Sequence, residues 1–265
     1  MIWGWVTSVG STQQARGLIL GQQRERTPLV KNLAKTLLDH YGYELRRPLA
    51  TYDAATRKII EQVRPFTLTS PESIFAIKNA VEYVIENQIP GDIVECGVWK
   101  GGGIMVTALT LLNLGASRRL HLFDTFEGMT APTSVDRDLW GHSQDRYVGA
   151  MLAPLEEVKA NLRGTGYDEG LITYVKGPVE EKLPANAPAT IAVLRLDTDW
   201  YESTRHELQH LFPRLSGGGV LIIDDYGHFE GARKATDEFI AASGVPLLLN
   251  RIDYTARICI KPPAL

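Results

Sequence analysis

Two pairs of aspartates carry the strongest chemical signal in this chain. Asp197 and Asp199 follow the apolar run ending at Leu196, and Asp224 and Asp225 follow Ile222-Ile223. Acids at the ends of neighbouring strands can converge on one hard cation. Oxygen donors from Asp197, Asp224 and Asp225, completed by waters and substrate hydroxyls, suit Mg²⁺ better than zinc. Asp199 precedes Trp200-Tyr201-Glu202-Ser203-Thr204, where a helix starts, so capping explains it as well as ligation does. A second signal is the segment Val94-Glu95-Cys96-Gly97-Val98-Trp99-Lys100-Gly101-Gly102-Gly103. Its glycines let a ligand approach the backbone, and the helix start offers free N–H donors to a carboxylate. Glu95 and Gly97 can accept from the ammonium of an amino-acid moiety. Asp124, closing Leu122-Phe123, stands where an acid binds ribose hydroxyls in nucleotide folds. The segment Lys176-Gly177-Pro178-Val179-Glu180 would line an adenine. The Gly-x-x-x-Gly spacing departs from the Gly-x-Gly-x-x-Gly of dinucleotide sites, which disfavours a nicotinamide oxidoreductase.

These residues need a sheet to bring them together, and the chain supplies one. Strands are expected at 92–98, 118–125, 171–177, 190–197 and 218–224, with helices at 101–113, 203–215 and 231–242. That alternation predicts an α/β fold of right-handed βαβ units and a mainly parallel sheet. Val245 to Leu249 and Ala256 to Ile260 have no helix between them and predict an antiparallel hairpin at the sheet edge. Ser70-Pro71-Glu72 opens a helix that stops near Pro90-Gly91. Residues 1–65 are expected to be a helical extension, with a helix start at Thr27-Pro28, and residues 66–265 the catalytic domain. The extension's apolar arm with Trp3 and Trp5 suggests a homo-oligomer contact.

The segment His206-Glu207-Leu208-Gln209-His210 matches the His-Glu-x-x-His pattern of zinc peptidases. The apolar stripe of that helix is Leu208, Leu211, Phe212 and Leu215. Both histidines therefore point nearly opposite to it, towards solvent, and no third ligand is apparent.

Composition narrows the classes further. The 265 residues carry 28 basic against 31 acidic side chains, so no basic footprint suggests nucleic acid. Cys96 and Cys259 both sit in apolar runs, which implies buried thiols and no disulfide framework. No run approaches the roughly 20 apolar residues of a membrane span, and a cytoplasmic location is the expectation.

The motifs together resemble the macrocin-type (TylF-like) sugar O-methyltransferases, a family of class I S-adenosylmethionine-dependent enzymes. The resemblance runs over about residues 62–262, through Val63 to Glu72, Gly91 to Trp99, Leu122 to Met129, Leu196 to Thr204 and Asp224 to His228. It implies a Rossmann-like seven-stranded sheet and S-adenosylmethionine as methyl donor. The cofactor residues would be Thr67, Glu95, Gly97, Lys100, Gly101, Gly102, Asp124, Thr125, Gly177, Val179 and Asp197. It also implies Mg²⁺ on Asp197, Asp224 and Asp225. The acceptor would be a sugar hydroxyl of a natural-product glycoside or surface glycan, with a phenol or catechol as the alternative. Asp197 is the expected general base and His142, in the long polar connection from Glu127 to Tyr147, the second candidate. That connection reads as a lid, on which Trp140 can pack against a ring. Among the other histidines, only His228 is placed to touch substrate. One departure is Ser73, where the family often carries arginine.

Overall fold

Runs of Val, Ile and Leu bounded by Gly or Asp form strands here, because β-branched and large apolar side chains pack well on a pleated surface covered on both faces. The computed structural model describes residues 48–263. The chain divides into two units, Met1–Thr51 and Tyr52–Leu265, and the second holds the sheet. The Thr27-Pro28 helix start and the Trp3 and Trp5 arm lie outside the described residues.

Five parallel strands form the sheet: β1 (Asp92–Cys96), β2 (Leu120–Asp124), β3 (Ile172–Lys176), β4 (Ile191–Leu196) and β5 (Leu215–Ile223). Two more, β6 (Asn250–Arg251) and β7 (Arg257–Ile260), close the edge as an antiparallel pair. The order is β3-β2-β1-β4-β5-β7-β6. Every residue of the central β4 is buried. The expected seven-stranded α/β sheet with a terminal hairpin is therefore present.

The helices are α1 (Ala54–Val63), α2 (Pro71–Glu86), α3 (Gly102–Asn113), α4 (Leu155–Arg163), α5 (Val179–Lys182), α6 (Tyr201–Leu211) and α7 (Glu230–Ser243). Ser70 caps α2 by accepting from the Ser73 N–H at 3.0 Å, as its place before Pro71 predicts. Helix α3 is apolar on nearly all sides, and α1, α2 and α4 pack around it.

Two elements differ from expectation. The edge strand is Asn250–Arg251, not Val245 to Leu249. Pro246 has no N–H for a ladder; the segment instead packs Val245, Leu247 and Leu249 against the core and leaves Leu248 exposed. Helix α4, rich in charge, lies in the connection after β2 and carries too little apolar pattern to be read, although Val158 and Leu162 anchor it.

Candidate active site

Parallel pairing draws one line of functional residues across the sheet. Cys96 is in register with Phe123 and Leu196, and Leu196 with Ile223. The next residues, Asp124, Gly97, Asp197 and Asp224, are therefore neighbours. The ladder continues through them: the N–H of Gly97 donates to Phe123, that of Asp197 to Cys96 and that of Asp224 to Leu196, at 2.8 to 2.9 Å. This edge spans the point between β1 and β4 where the strand order reverses, the usual ligand crevice of an open α/β sheet. A cleft of about 700 Å³ opens there.

On one side of the cleft the backbone is shaped for close approach. Gly97 has φ +77°, and a Cβ there would collide with the Asp197 carbonyl, so β1 and β4 reach their present separation only with glycine. Gly103 likewise leaves room for the Glu95 carboxylate beside it. Glu95 is buried and lines the cleft. Burial pushes its carboxyl up to about 7 against the opposing pull of Arg195. Asp124 accepts from the Val98 N–H at 2.8 Å, the Trp99 N–H at 3.0 Å and the Phe126 N–H at 2.7 Å, so it holds the glycine loop as well as facing the cleft.

Thr67, Thr125, Gly177 and Val179 also line the cleft. Lys100, Gly101 and Gly102 do not. The Lys100 ammonium lies over the Trp99 ring and 3.8 Å from Glu157. Gly101, at φ +87°, is the N-cap of α3, and Gly102 backs onto Phe66 and Thr67. These three shape the loop from behind.

On the other side, the acids gather. Carboxylate oxygens of Asp197, Asp199 and Asp225 lie within 4.8 Å of one another. Asp224, expected in that set, turns to Arg195 instead, and Asp199 takes the place beside Asp197 and Asp225. The Asp199 backbone adopts φ +69°, a strained conformation for a non-glycine residue, which turns its side chain out of the helix-capping role. Burial and mutual repulsion push Asp199 up to about 7 and Asp197 and Asp225 well above the usual carboxylate range. Asp225 Oδ2 is buried and without a hydrogen-bond partner among the described residues. Crowded oxygens that cannot all ionise alone, one of them unpartnered, fit a divalent cation.

The long connection after β2 is pinned rather than loose. Asp136, buried, accepts from the Tyr201 N–H at 2.7 Å and from Thr133, and so caps α6 from a distance. The Trp200 indole donates to the Thr130 carbonyl at 3.0 Å. His142 does not reach the cleft: it points outward, Nδ1 3.1 Å from Asp138 Oδ2, because Asp138 ties the turn that carries it. A role for His142 as base is not supported by this arrangement. Trp140 is exposed near His228, ring centroids 5.9 Å apart, and only His228 of the two lines the cleft.

Among the described residues, no third metal ligand joins the two histidines of the His-Glu-x-x-His segment. His206 and His210 are half-buried, not fully in solvent as expected, and the His206 Nε2 lies 3.3 Å from the Leu183 carbonyl. Glu207 points the other way, into the core, where it accepts from Thr198 Oγ1 at 3.0 Å beneath the acid loop.

Sequence reasoning passed over Arg195 and Asp253. Arg195 is the charged member of an otherwise apolar strand, and that isolation is the signal, since a buried charge requires partners. Asp253 accepts from Ser70 and, at 3.0 Å, from Ser73, joining the start of α2 to the turn before β7 at the cleft wall. Ser73, the departure from the family pattern, thus has a structural partner of its own.

Comparison with known proteins agrees with this architecture. The family model for macrocin-O-methyltransferase (TylF) matches residues 22–260. The chain is 34% identical over 194 residues to the 8-demethyl-8-(2,3-dimethoxy-alpha-L-rhamnosyl)-tetracenomycin-C 4'-O-methyltransferase of Streptomyces olivaceus, covering 71% of this chain and 73% of that one. It is 34% identical over 184 residues to the demethyldecarbamoylnovobiocin O-methyltransferase of Streptomyces niveus, covering 67% and 68%. The solved structure of the O-methyltransferase NovP is similar at a TM-score of 0.68 and 29% identity, over 74% of this chain and 82% of that chain. No helix among the described residues is long and apolar enough to cross a membrane. A family match running through the whole sheet, on a cleft built of glycine loop and strand-end acids, has one conclusion: this chain belongs to the macrocin O-methyltransferase family and is an S-adenosylmethionine-dependent O-methyltransferase.

Proposed function

We propose that this enzyme methylates a sugar hydroxyl of a natural-product glycoside or a surface glycan, with Mg²⁺ held at the acid cluster. The observation that carries the metal reading is the convergence of Asp197, Asp199 and Asp225 within 4.8 Å. Asp197 and Asp225 are the shared core of the ligand set, and Asp199 joins them in this arrangement. The sugar reading rests on a relative whose name specifies a rhamnosyl 4'-O position.

When bound, S-adenosylmethionine supplies a methyl group on a positively charged sulfur, and Mg²⁺ would lower the pKa of an acceptor hydroxyl and fix its oxygen. The chain does the rest. Glu95 accepts from the ammonium of the amino-acid moiety, the Gly97 loop admits that moiety, and Asp124 faces the ribose. Gly177 and Val179 wall the adenine. Asp197, at the junction of both halves, would take the proton from the acceptor hydroxyl. Proximity would add to proton transfer, because the residues proposed to hold donor and acceptor lie along one sheet edge.

A phenolic acceptor is the second reading, favoured by Tyr147, Trp200, Phe229 and Tyr254 in the cleft wall. Labelled methyl transfer to rhamnosides and to catechol, with wild type and Asp197→Asn, tests both. We expect transfer to the glycosides, and a fall of roughly 10²- to 10⁴-fold for Asp197→Asn with S-adenosylhomocysteine still bound. Transfer to catechol alone would replace the sugar reading; near wild-type turnover by Asp197→Asn would remove the base assignment.

A further inference from the structure

Arg195 is buried in β4 and touches both halves of the site at once. It is in register with Glu95 on β1, so the two side chains share a face of the sheet. One terminal nitrogen, Nη1, donates to Glu95 Oε1 at 2.7 Å. The other, Nη2, donates to Asp224, lies 2.9 Å from Asp197 Oδ2 and reaches Thr69 Oγ1 at 3.2 Å. Glu95 faces the cofactor, Asp197 the acceptor. One planar, permanently charged group therefore ties together an acid on β1, the acids that follow β4 and β5, and the Thr69 hydroxyl before α2.

Burying a guanidinium is costly unless its partners are geometrically well matched, and replacing a whole buried ion cluster by apolar residues is often neutral for stability, although removing one member strands its partners. Stability alone thus gives no reason to keep an arginine here. Its fork geometry does, because an ammonium on a flexible stem cannot hold two separated carboxylates in fixed directions. Groups that orient catalytic side chains from behind often matter nearly as much as the side chains themselves.

We propose that Arg195 is a positioning residue that sets the cofactor acid Glu95 and the reaction acid Asp197 relative to each other, and so aligns the donor methyl with the acceptor oxygen. The inference rests on the assignment of Glu95 to the cofactor ammonium and of Asp197 to proton removal. It does not require Mg²⁺ or a sugar acceptor.

The binding arm of the test uses two ligands without metal or acceptor, and kcat is read separately in a methyl-transfer assay with the acceptor present. S-adenosylhomocysteine carries the amino-acid moiety that Glu95 would meet; 5'-methylthioadenosine lacks it. Calorimetry is run on wild type, Glu95→Gln, Arg195→Lys and Arg195→Met, with melting curves for each. We expect both arginine variants to lose at least about tenfold in S-adenosylhomocysteine affinity, as losses of supporting groups commonly do. Affinity for 5'-methylthioadenosine should stay unchanged, and kcat at saturating cofactor should fall as well. Arg195→Lys keeps the charge and carries the test if Arg195→Met does not fold. Equal weakening of both ligands would mean a merely structural role and would overturn the proposal. So would a wild-type Arg195→Lys, since charge without the fork would then suffice. If Glu95→Gln leaves S-adenosylhomocysteine affinity intact, the cofactor assignment itself fails and the proposal with it; if only the arginine variants behave as wild type, the proposal alone fails.

Discussion

Under the proposed assignment of Glu95 to the cofactor ammonium, its protonation state decides cofactor binding. Burial pushes it up to about 7, Arg195 opposing and Asp224 adding to the rise. An ammonium partner requires the ionised form, so binding favours proton release and must tighten as pH rises through that value. Between pH 6 and 8 the affinity for S-adenosylhomocysteine should rise about tenfold, levelling above. Calorimetry in buffers of different ionisation enthalpy reads both the affinity and the released proton; a flat or falling profile contradicts the assignment. At this scale the sequence was a good guide to residue types. Asp197, Asp225, Glu95, Gly97 and Asp124 all reach the cleft because strand ends in register are dictated by the alternation of apolar runs and acids. What it did not contain was side-chain direction. Asp224 turns to Arg195 and Asp199 takes its place in the acid cluster only because a buried cation lies one strand away and a left-handed backbone turn follows Thr198.

At the level of elements, the connection between β2 and α4 is held by buried acids. Asp136 caps α6, whose own N-cap residue, Trp200, offers no side-chain bond. Asp136→Ala should cost about 1–2 kcal/mol, the usual range for a lost helix cap, and raise KM for the acceptor more than it lowers kcat. Thermal unfolding together with steady-state kinetics checks this, and unchanged values of both would show the loop to be held elsewhere. The strands and α2, α3, α6 and α7 were legible because apolar runs and helical spacing ended at Gly, Pro or Asp. Helix α4 and the true edge strand were not. The first is nearly half charged, and the second is displaced by Pro246 to a pair of exposed polar residues. His142 reads as an available base in a polar loop, yet Asp138 holds its ring outward, a local contact that spacing does not reveal.

Across the whole molecule, the sheet order brings the cofactor half and the acid half of the cleft together at the reversal between β1 and β4. Arg195 is the cation that the described residues bring against Asp197 and Asp224. A divalent ion, as proposed, would complete such a cluster. The most direct measurement is therefore methyl transfer to a rhamnoside by enzyme stripped with a chelator and then titrated with Mg²⁺. The account predicts that turnover falls by about 10²-fold or more on stripping, the scale of a lost electrostatic catalyst, and returns with Mg²⁺. Full turnover by the stripped enzyme would contradict it.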